Sequence, residues 1–229
     1  MNKLRDNTKR RKNAEILIKI VLVLTLIAIA SDLMQYHLLS EMQNGMMISD
    51  GEANFNDIRQ QIIAIISALA YIASGIIFIM WFRRAYWNLH QVQKGMSSGE
   101  GMAAAGWFIP ILSLFKPYKI FKEMFDVMNL KIDKSPPVKY GGVLITWWIL
   151  YIITSILGQI IFRMDEGQTI PELLDYTLIC VVDGIITIPS GVLLLWLIKK
   201  YGVQETSLAN LEAAEHSEFS LSEEAELLP

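Results

Sequence analysis

Cysteine and histidine are scarce in this chain, and their scarcity limits the chemistry it can carry. Cys180 is the only cysteine among 229 residues, so neither an intrachain disulfide nor a thiolate metal cluster can form. The three histidines lie in three separate segments, at His37, His90 and His216. The sequence also lacks an Asn-x-Ser/Thr sequon and a glycine-rich phosphate loop ending in Lys-Ser/Thr. We therefore expect no metal and no cofactor.

Charged residues are also few, and they leave long apolar runs between them. They make up 19% of the chain, against about 25% in a typical soluble domain. A helix needs about 20 mostly apolar residues to cross a bilayer. Residues 62–82 and 140–162 contain no charge, residues 176–198 contain Asp183, and residues 16–34 contain Lys19 and Asp32 near their ends. These four segments are the predicted spans.

The first apolar run allows an alternative, a cleaved signal peptide with Ala28-Ile29-Ala30 before the cleavage site. The run continues past that site, which favours an uncleaved anchor.

We predict an all-α integral membrane protein with a basic N-terminus (1–15), a four-helix transmembrane domain (16–200) and an acidic, disordered tail (201–229). The tail from residue 203 holds seven Glu and no Lys or Arg.

The distribution of Lys and Arg predicts the orientation of the spans. Eighteen of the twenty basic residues fall in residues 1–19, in the 83–139 connection or after the last span. Cytoplasmic flanks carry this excess of positive charge. We therefore expect both termini in the cytoplasm and the protein in a bacterial inner membrane.

The connection between the second and third spans is the most informative segment. Residues 103–115 are uncharged but too few to span, and Pro110 interrupts them, which favours a re-entrant or interfacial segment. Pro117 can open a helix with Tyr118 and other large apolar residues along one stripe. This predicts an amphipathic helix on the inner membrane surface, with Lys116, Lys119 and Lys122 available to lipid headgroups. The same periodicity would equally fit packing on the protein's own helices.

Several motifs in this region resemble a known family. Trp81-Phe82-Arg83-Arg84-Ala85-Tyr86-Trp87-Asn88-Leu89, Gly106-Trp107-Phe108-Ile109-Pro110-Ile111, Leu114-Phe115-Lys116-Pro117-Tyr118 and Trp147-Trp148 occur in that order. The chain resembles domain-of-unknown-function family 4328 over roughly residues 62–200. The resemblance implies a four-pass bacterial membrane protein and supplies no reaction. The candidate residues at the cytoplasmic face are Trp81, Arg84, Asn88, Gly106, Trp107, Pro110, Pro117 and Tyr118.

Polar residues inside the spans are further candidates, because a charge there is costly and is retained for packing or for function. Asp183 is the first of them. Thr154, Ser155 and Gln159 of the third span and Ser67 of the second are expected near its depth. A proton or cation relay is one hypothesis for Asp183, and a hydrogen-bonded acid joining helices is the simpler one.

Three functional classes follow from these candidates. The first is an accessory or scaffold protein that binds lipid or partners at the cytoplasmic face. The second is a small oligomeric channel or transporter that uses Asp183. A lipid-acting enzyme is the third, and the absence of paired carboxylates or histidines at the inner interface disfavours it. We expect membrane lipid, a second copy or another membrane protein as partners, and no nucleic acid.

Overall fold

The chain folds into α-helices alone over the residues that the computed structural model describes, which are 4–132, 140–164 and 169–226, with side chains through 214. The elements in chain order are α1 (Thr8–Gln43), α2 (Asp50–Val92), α3 (Met102–Ala105), α4 (Pro110–Ser113), α5 (Lys116–Ile132), α6 (Gly141–Arg163) and α7 (Ile170–Glu226).

The predicted spans coincide with the four long helices. α1, α2, α6 and α7 are each long and apolar enough to cross a membrane. The prediction of a helical protein with four such helices is therefore confirmed. α1, α2 and α7 run well beyond their apolar segments into polar sequence.

Local signals fix where several of these helices begin and end. Before α2, the Ser49 hydroxyl accepts a hydrogen bond from the Glu52 amide at 3.2 Å, and the Glu52 carboxylate accepts one from the Ser49 amide at 3.1 Å. This reciprocal pair is a capping box. Just after the C-terminal end of α1, Gly45 adopts φ +85°, the left-handed conformation that commonly closes a helix.

The chain after residue 200 was predicted to be disordered, but the structure shows it as a continuation of the last helix. α7 continues through that position, with Tyr201 fully buried and Leu208 only 3% exposed. Gly202 lies so close to Arg11 that an added Cβ would overlap the arginine side chain. Residues 201–214 are thus held as a helix by packing, which composition alone does not reveal.

Two compact units share these long helices. Unit 1 comprises the described parts of Met1–Ala14, Ile77–Leu144 and Trp196–Pro229. Its core is aromatic: Trp81 and Tyr201 have ring centroids 5.8 Å apart, and Phe125 lies 5.6 Å from Tyr201. Phe82 and Phe121 meet edge to face at 5.3 Å. Edge contacts of this kind stabilise a core beyond the area they bury.

Unit 2 comprises Glu15–Ile76 and Ile145–Leu195, without the residues left undescribed. Here α1 and α7 approach closely at two glycines seven residues apart. A Cβ on Gly184 would stand 2.7 Å from Cγ1 of Ile29, and one on Gly191 would stand 2.7 Å from Cδ2 of Leu22. Small residues allow this approach between membrane helices. Large apolar side chains point outward, such as Leu69, 64% exposed, as expected for a surface in contact with lipid.

Candidate functional site

A buried polar site of unit 1 is centred on Asn88, which is only 2% exposed. Its side-chain amide donates to the backbone oxygen of Arg5 and to Oε1 of Glu205, both at 2.9 Å. Its Oδ1 accepts from the Arg5 amide at 3.0 Å. One side chain of α2 therefore holds both the N-terminal segment and α7.

Asn7 completes this network from the N-terminal side. Its side-chain amide lies 3.3 Å from the backbone oxygen of Trp81 and 3.3 Å from Oε1 of Glu205. Burial raises the pKa of the Glu205 carboxyl above its usual value, while the hydrogen bonds from Asn88 and Asn7 and the charge of Arg11 oppose that rise. Glu205 is thus a carboxyl group held in a protein interior by two amides.

Arg84, predicted as a cytoplasmic-face candidate, lies next to this network. It is half-buried and donates no hydrogen bond to the described residues. Burial lowers the pKa of its guanidinium, and the positive charges of Arg10, Arg5 and Arg83 lower it further. Of these neighbouring arginines, Arg5 stacks over the Trp87 ring, with its guanidinium carbon 4.0 Å from the ring centroid.

A second polar cluster joins α2, α5 and the 93–101 loop. Glu123 accepts from the Tyr86 hydroxyl at 2.8 Å, from the Ser97 amide at 2.6 Å and from the Ser97 hydroxyl at 2.8 Å. Burial and this carboxylate together raise the pKa of Tyr86 to about 12. Glu123, on the polar side of α5, is therefore covered by the loop that folds back over it.

Gly106, Trp107 and Pro110 form the turn between α3 and α5. A Cβ on Gly106 would stand 2.9 Å from the backbone oxygen of Met102, so the close turn requires glycine. The Trp107 ring lies 5.4 Å from Phe78 and 5.9 Å from Phe82, edge on to both. Pro110 occupies the first turn of α4, where its missing amide costs nothing.

Beyond Trp107 the turn exposes its apolar side chains. Phe108 is 73% exposed, Ile111 74% and Leu114 57%. Part of the backbone of the turn is internally bonded, with the Ile109 amide donating to the Ala105 oxygen and the Ser113 amide to the Ile109 oxygen. Residues 108–114, which we call the apolar turn, therefore present large apolar side chains on a partly hydrogen-bonded backbone.

The predicted stripe of α5 is covered by the protein itself. Phe121, Met124 and Met128 are fully buried within unit 1, Pro117 is buried and Tyr118 is half-buried. Of the two interpretations of this helix, packing on the protein's own helices accounts for these contacts. The three lysines differ among themselves: Lys122 pairs with Asp126 at 2.9 Å, Lys119 lies over the Phe115 ring at 5.1 Å, and Lys116 packs beside Gly106.

The intramembrane candidates lie in unit 2. Oδ1 of Asp183 and the hydroxyl of Ser67 are buried and have no hydrogen-bonding partner among the described residues. Asp183 lies close enough to Tyr71 for an electrostatic interaction. The hydroxyls of Thr154 and Ser155 instead bond back to the Tyr151 oxygen of their own helix, at 3.0 and 2.7 Å, and Gln159 is exposed. The structure does not join these three side chains to Asp183.

Sequence reasoning missed one polar cluster altogether. Arg59 donates to the Ser31 hydroxyl at 3.0 Å and to Asn56 Oδ1 at 2.6 Å. Gln35 links Asn56 to Thr177 with bonds of 3.3 and 3.0 Å, which connects three helices. Arg59 was recognisable only as a flanking charge, because its partners come from two other parts of the chain. Within the described residues, no group of three His, Cys, Asp or Glu side chains could hold a metal ion.

The four apolar helices make this chain a multi-pass helical membrane protein. The family model described as "Domain of unknown function (DUF4328)" matches residues 44–202, about two thirds of the chain, and the chain belongs to that family. The family identified from the sequence motifs is confirmed. No curated protein matches the chain. No solved structure matches it either.

Proposed function

We propose that this protein is a non-enzymatic accessory or scaffold protein of a bacterial cytoplasmic membrane. In this proposal unit 1 faces the cytoplasm and binds membrane lipid or a partner there. The orientation rests on the positive charge of the N-terminus and of the 83–139 connection. Cytoplasmic termini follow from the same distribution.

The apolar turn is the observation that carries the proposal. Phe108, Ile111 and Leu114 expose large apolar side chains within one short turn, and exposed apolar groups of this kind mark a binding surface for a protein or a membrane. Lys116 and Lys119 follow immediately in sequence, and lysines beside an apolar patch are suited to anionic headgroups. Several backbone amides of the turn are internally bonded, among them those of Ile109, Ser113 and Leu114, which lowers the cost of placing the turn in the interfacial layer.

Site-directed fluorescence tests this insertion. In a Cys180→Ser background, Ile111→Cys would carry a polarity-sensitive fluorophore, and the protein would be reconstituted into phosphatidylglycerol and phosphatidylcholine vesicles. Asp126→Cys, an exposed position on α5, is the matched control. We expect blue-shifted emission at position 111, with quenching by lipid-borne quenchers, and water-like emission at position 126. Water-like emission at both positions would contradict the proposal.

A second candidate function is a small oligomeric channel or transporter, and the unpartnered Oδ1 of Asp183 favours it. A four-helix bundle fills its core with side chains, so conduction would require several copies. Native mass spectrometry of the full chain would give the copy number, and Asp183→Asn should abolish ion or proton flux in vesicles. Flux that persists in this variant would remove Asp183 from any transport mechanism.

A further inference from the structure

We infer that Arg84 is the centre of a phosphate-binding site that takes the headgroup of an anionic phospholipid. Arg84, Arg10, Arg5 and Arg83 form this site, which we call the arginine cluster. The inference shares the cytoplasmic orientation of unit 1 with the proposed function, but it does not depend on insertion of the apolar turn.

The geometry follows from one face of α2. Arg84 lies one helical turn after Met80 and one before Asn88, so the three residues share that face. Arg10 donates through Nη1 to the Met80 backbone oxygen at 3.3 Å, and the Arg5 backbone bonds Asn88 in both directions. The N-terminal segment is therefore attached on either side of Arg84 and brings its own arginines to it.

The charge of Arg84 is only partly offset by the described residues around it. The described carboxylate that acts on Arg84 is Glu205, and its oxygens already accept hydrogen bonds from Asn88 and Asn7. A guanidinium has five N–H donors, and those of Arg84 are unused by the described residues although the side chain is half-buried. An anion with several oxygens would accept hydrogen bonds from these donors and reduce the repulsion among the adjacent cations.

Depth and donor geometry select the class of anion. Arg84 is two residues past the predicted end of the second span, about 3 Å along a helix axis, which places it at headgroup level. Guanidinium groups bind phosphate in a bidentate manner, and one phosphate offers enough oxygens for several of them. A zwitterionic headgroup would bring an ammonium group that the arginine cluster repels. An anionic phospholipid fits both constraints.

Lipid retention by the full-length protein tests the site. The protein would be equilibrated with mixed micelles containing equal parts of phosphatidylglycerol and phosphatidylcholine, and bound lipid would be counted by native mass spectrometry. We expect retention of phosphatidylglycerol over phosphatidylcholine. Arg84→Gln should weaken that retention by about tenfold, the loss of one charge-assisted bidentate contact. Arg84→Lys should recover only part of it, because lysine keeps the charge but not the fork.

Lys131→Gln is the matched control, since it removes an equal charge from an exposed end of α5 outside the cluster. Arg84 makes no hydrogen bond that the fold would lose, so its variants should melt close to the wild-type temperature. If Arg84→Gln does not fold, Arg10→Gln is the alternative variant, and it should also weaken the retention of phosphatidylglycerol. Equal retention by wild type and by a folded Arg84 variant would overturn the inference. Equal weakening by Lys131→Gln would do the same.

A titration with inorganic phosphate distinguishes a phospholipid headgroup from a soluble phosphate compound as the ligand of the arginine cluster. Arg84-dependent binding of phosphate, measured by isothermal titration, with no preference among lipids would overturn the lipid assignment in favour of a soluble phosphate compound. Arg84-dependent lipid retention with a water-exposed position 111 would support the arginine cluster and contradict the apolar turn. The two proposals therefore fail separately.

Discussion

At the scale of single residues, Glu205 shows how an interior carboxyl group is accommodated. Asn88 and Asn7 each donate an amide to it, while Arg11, Asp6 and Tyr201 lie near enough to interact electrostatically. Asn88 was identified as a candidate from the Trp81–Leu89 motif, but Glu205 was not. The two lie 117 residues apart, and nothing in the sequence of an acidic tail distinguishes one Glu from the next.

The raised pKa of Glu205 predicts a pH-dependent stability. An acid whose pKa is raised by folding stabilises the protein fully below its ordinary value, here 4.5, and that stabilisation is lost as pH rises through the folded value. Glu205→Gln keeps an acceptor for both amides and removes the titration. We expect the melting temperature of the wild type, relative to Glu205→Gln, to fall between pH 4 and pH 8. Glu212→Gln, elsewhere on α7, is the control, and a difference that stays constant with pH would contradict the prediction.

Gly106 gives a second prediction at the residue scale. An added Cβ would stand 2.9 Å from the Met102 oxygen and 3.3 Å from Cγ of Lys116. The first neighbour is backbone and cannot move without opening the turn. Gly106→Ala should therefore lower the free energy of unfolding by about 1–3 kcal/mol, the usual cost of overpacking. Gly101→Ala is the control, because no atom lies within 4 Å of its Cβ position. Equal melting temperatures for the two variants would contradict this account of the turn.

At the scale of elements, helix periodicity in α5 predicted an apolar stripe but not whether that stripe faces the membrane or the protein. Phe121, Met124 and Met128 recur as expected, and the protein's own aromatic core covers them. A stripe facing a membrane and a stripe facing a protein contain the same residue types, so the sequence left both interpretations open. The polar side of α5 was also not uniform. Glu123 is fixed by three hydrogen bonds and Asp126 by one surface ion pair.

This difference predicts unequal effects of two similar substitutions. Glu123→Ala leaves the Ser97 amide without its acceptor and the Tyr86 hydroxyl with only the Ser98 oxygen, so the 93–101 loop should open more often. We expect faster amide hydrogen exchange there and a loss of about 1–3 kcal/mol in stability. Asp126→Ala removes only an exposed ion pair, usually worth about 0–1 kcal/mol, and should leave exchange in the loop unchanged. Equal exchange in both variants would show that Glu123 does not hold the loop.

At the scale of the whole molecule, the apolar runs predicted the four long helices because membrane helices need continuous hydrophobicity. They did not predict where the helices end. α1 begins at Thr8 and α2 continues to Val92, since contacts at Asn7 and Asn88 extend helical order into polar sequence. Contacts between distant segments, such as Arg59 with Ser31, were equally out of reach. Composition therefore locates the membrane helices, and tertiary contacts determine their length.

Orientation is the property of the whole molecule that the charge distribution predicts most directly. Eighteen of the twenty Lys and Arg residues belong to flanks that a positive-inside arrangement places in the cytoplasm. In a Cys180→Ser background, Met47→Cys should react with an impermeant thiol reagent in intact cells, because Met47 is fully exposed between α1 and α2. Ser98→Cys, in the loop beside Glu123, should react only after the membrane is permeabilised. The reverse pattern would place the arginine cluster and the apolar turn outside the cell, and both lipid proposals would then have to be made for the outer leaflet.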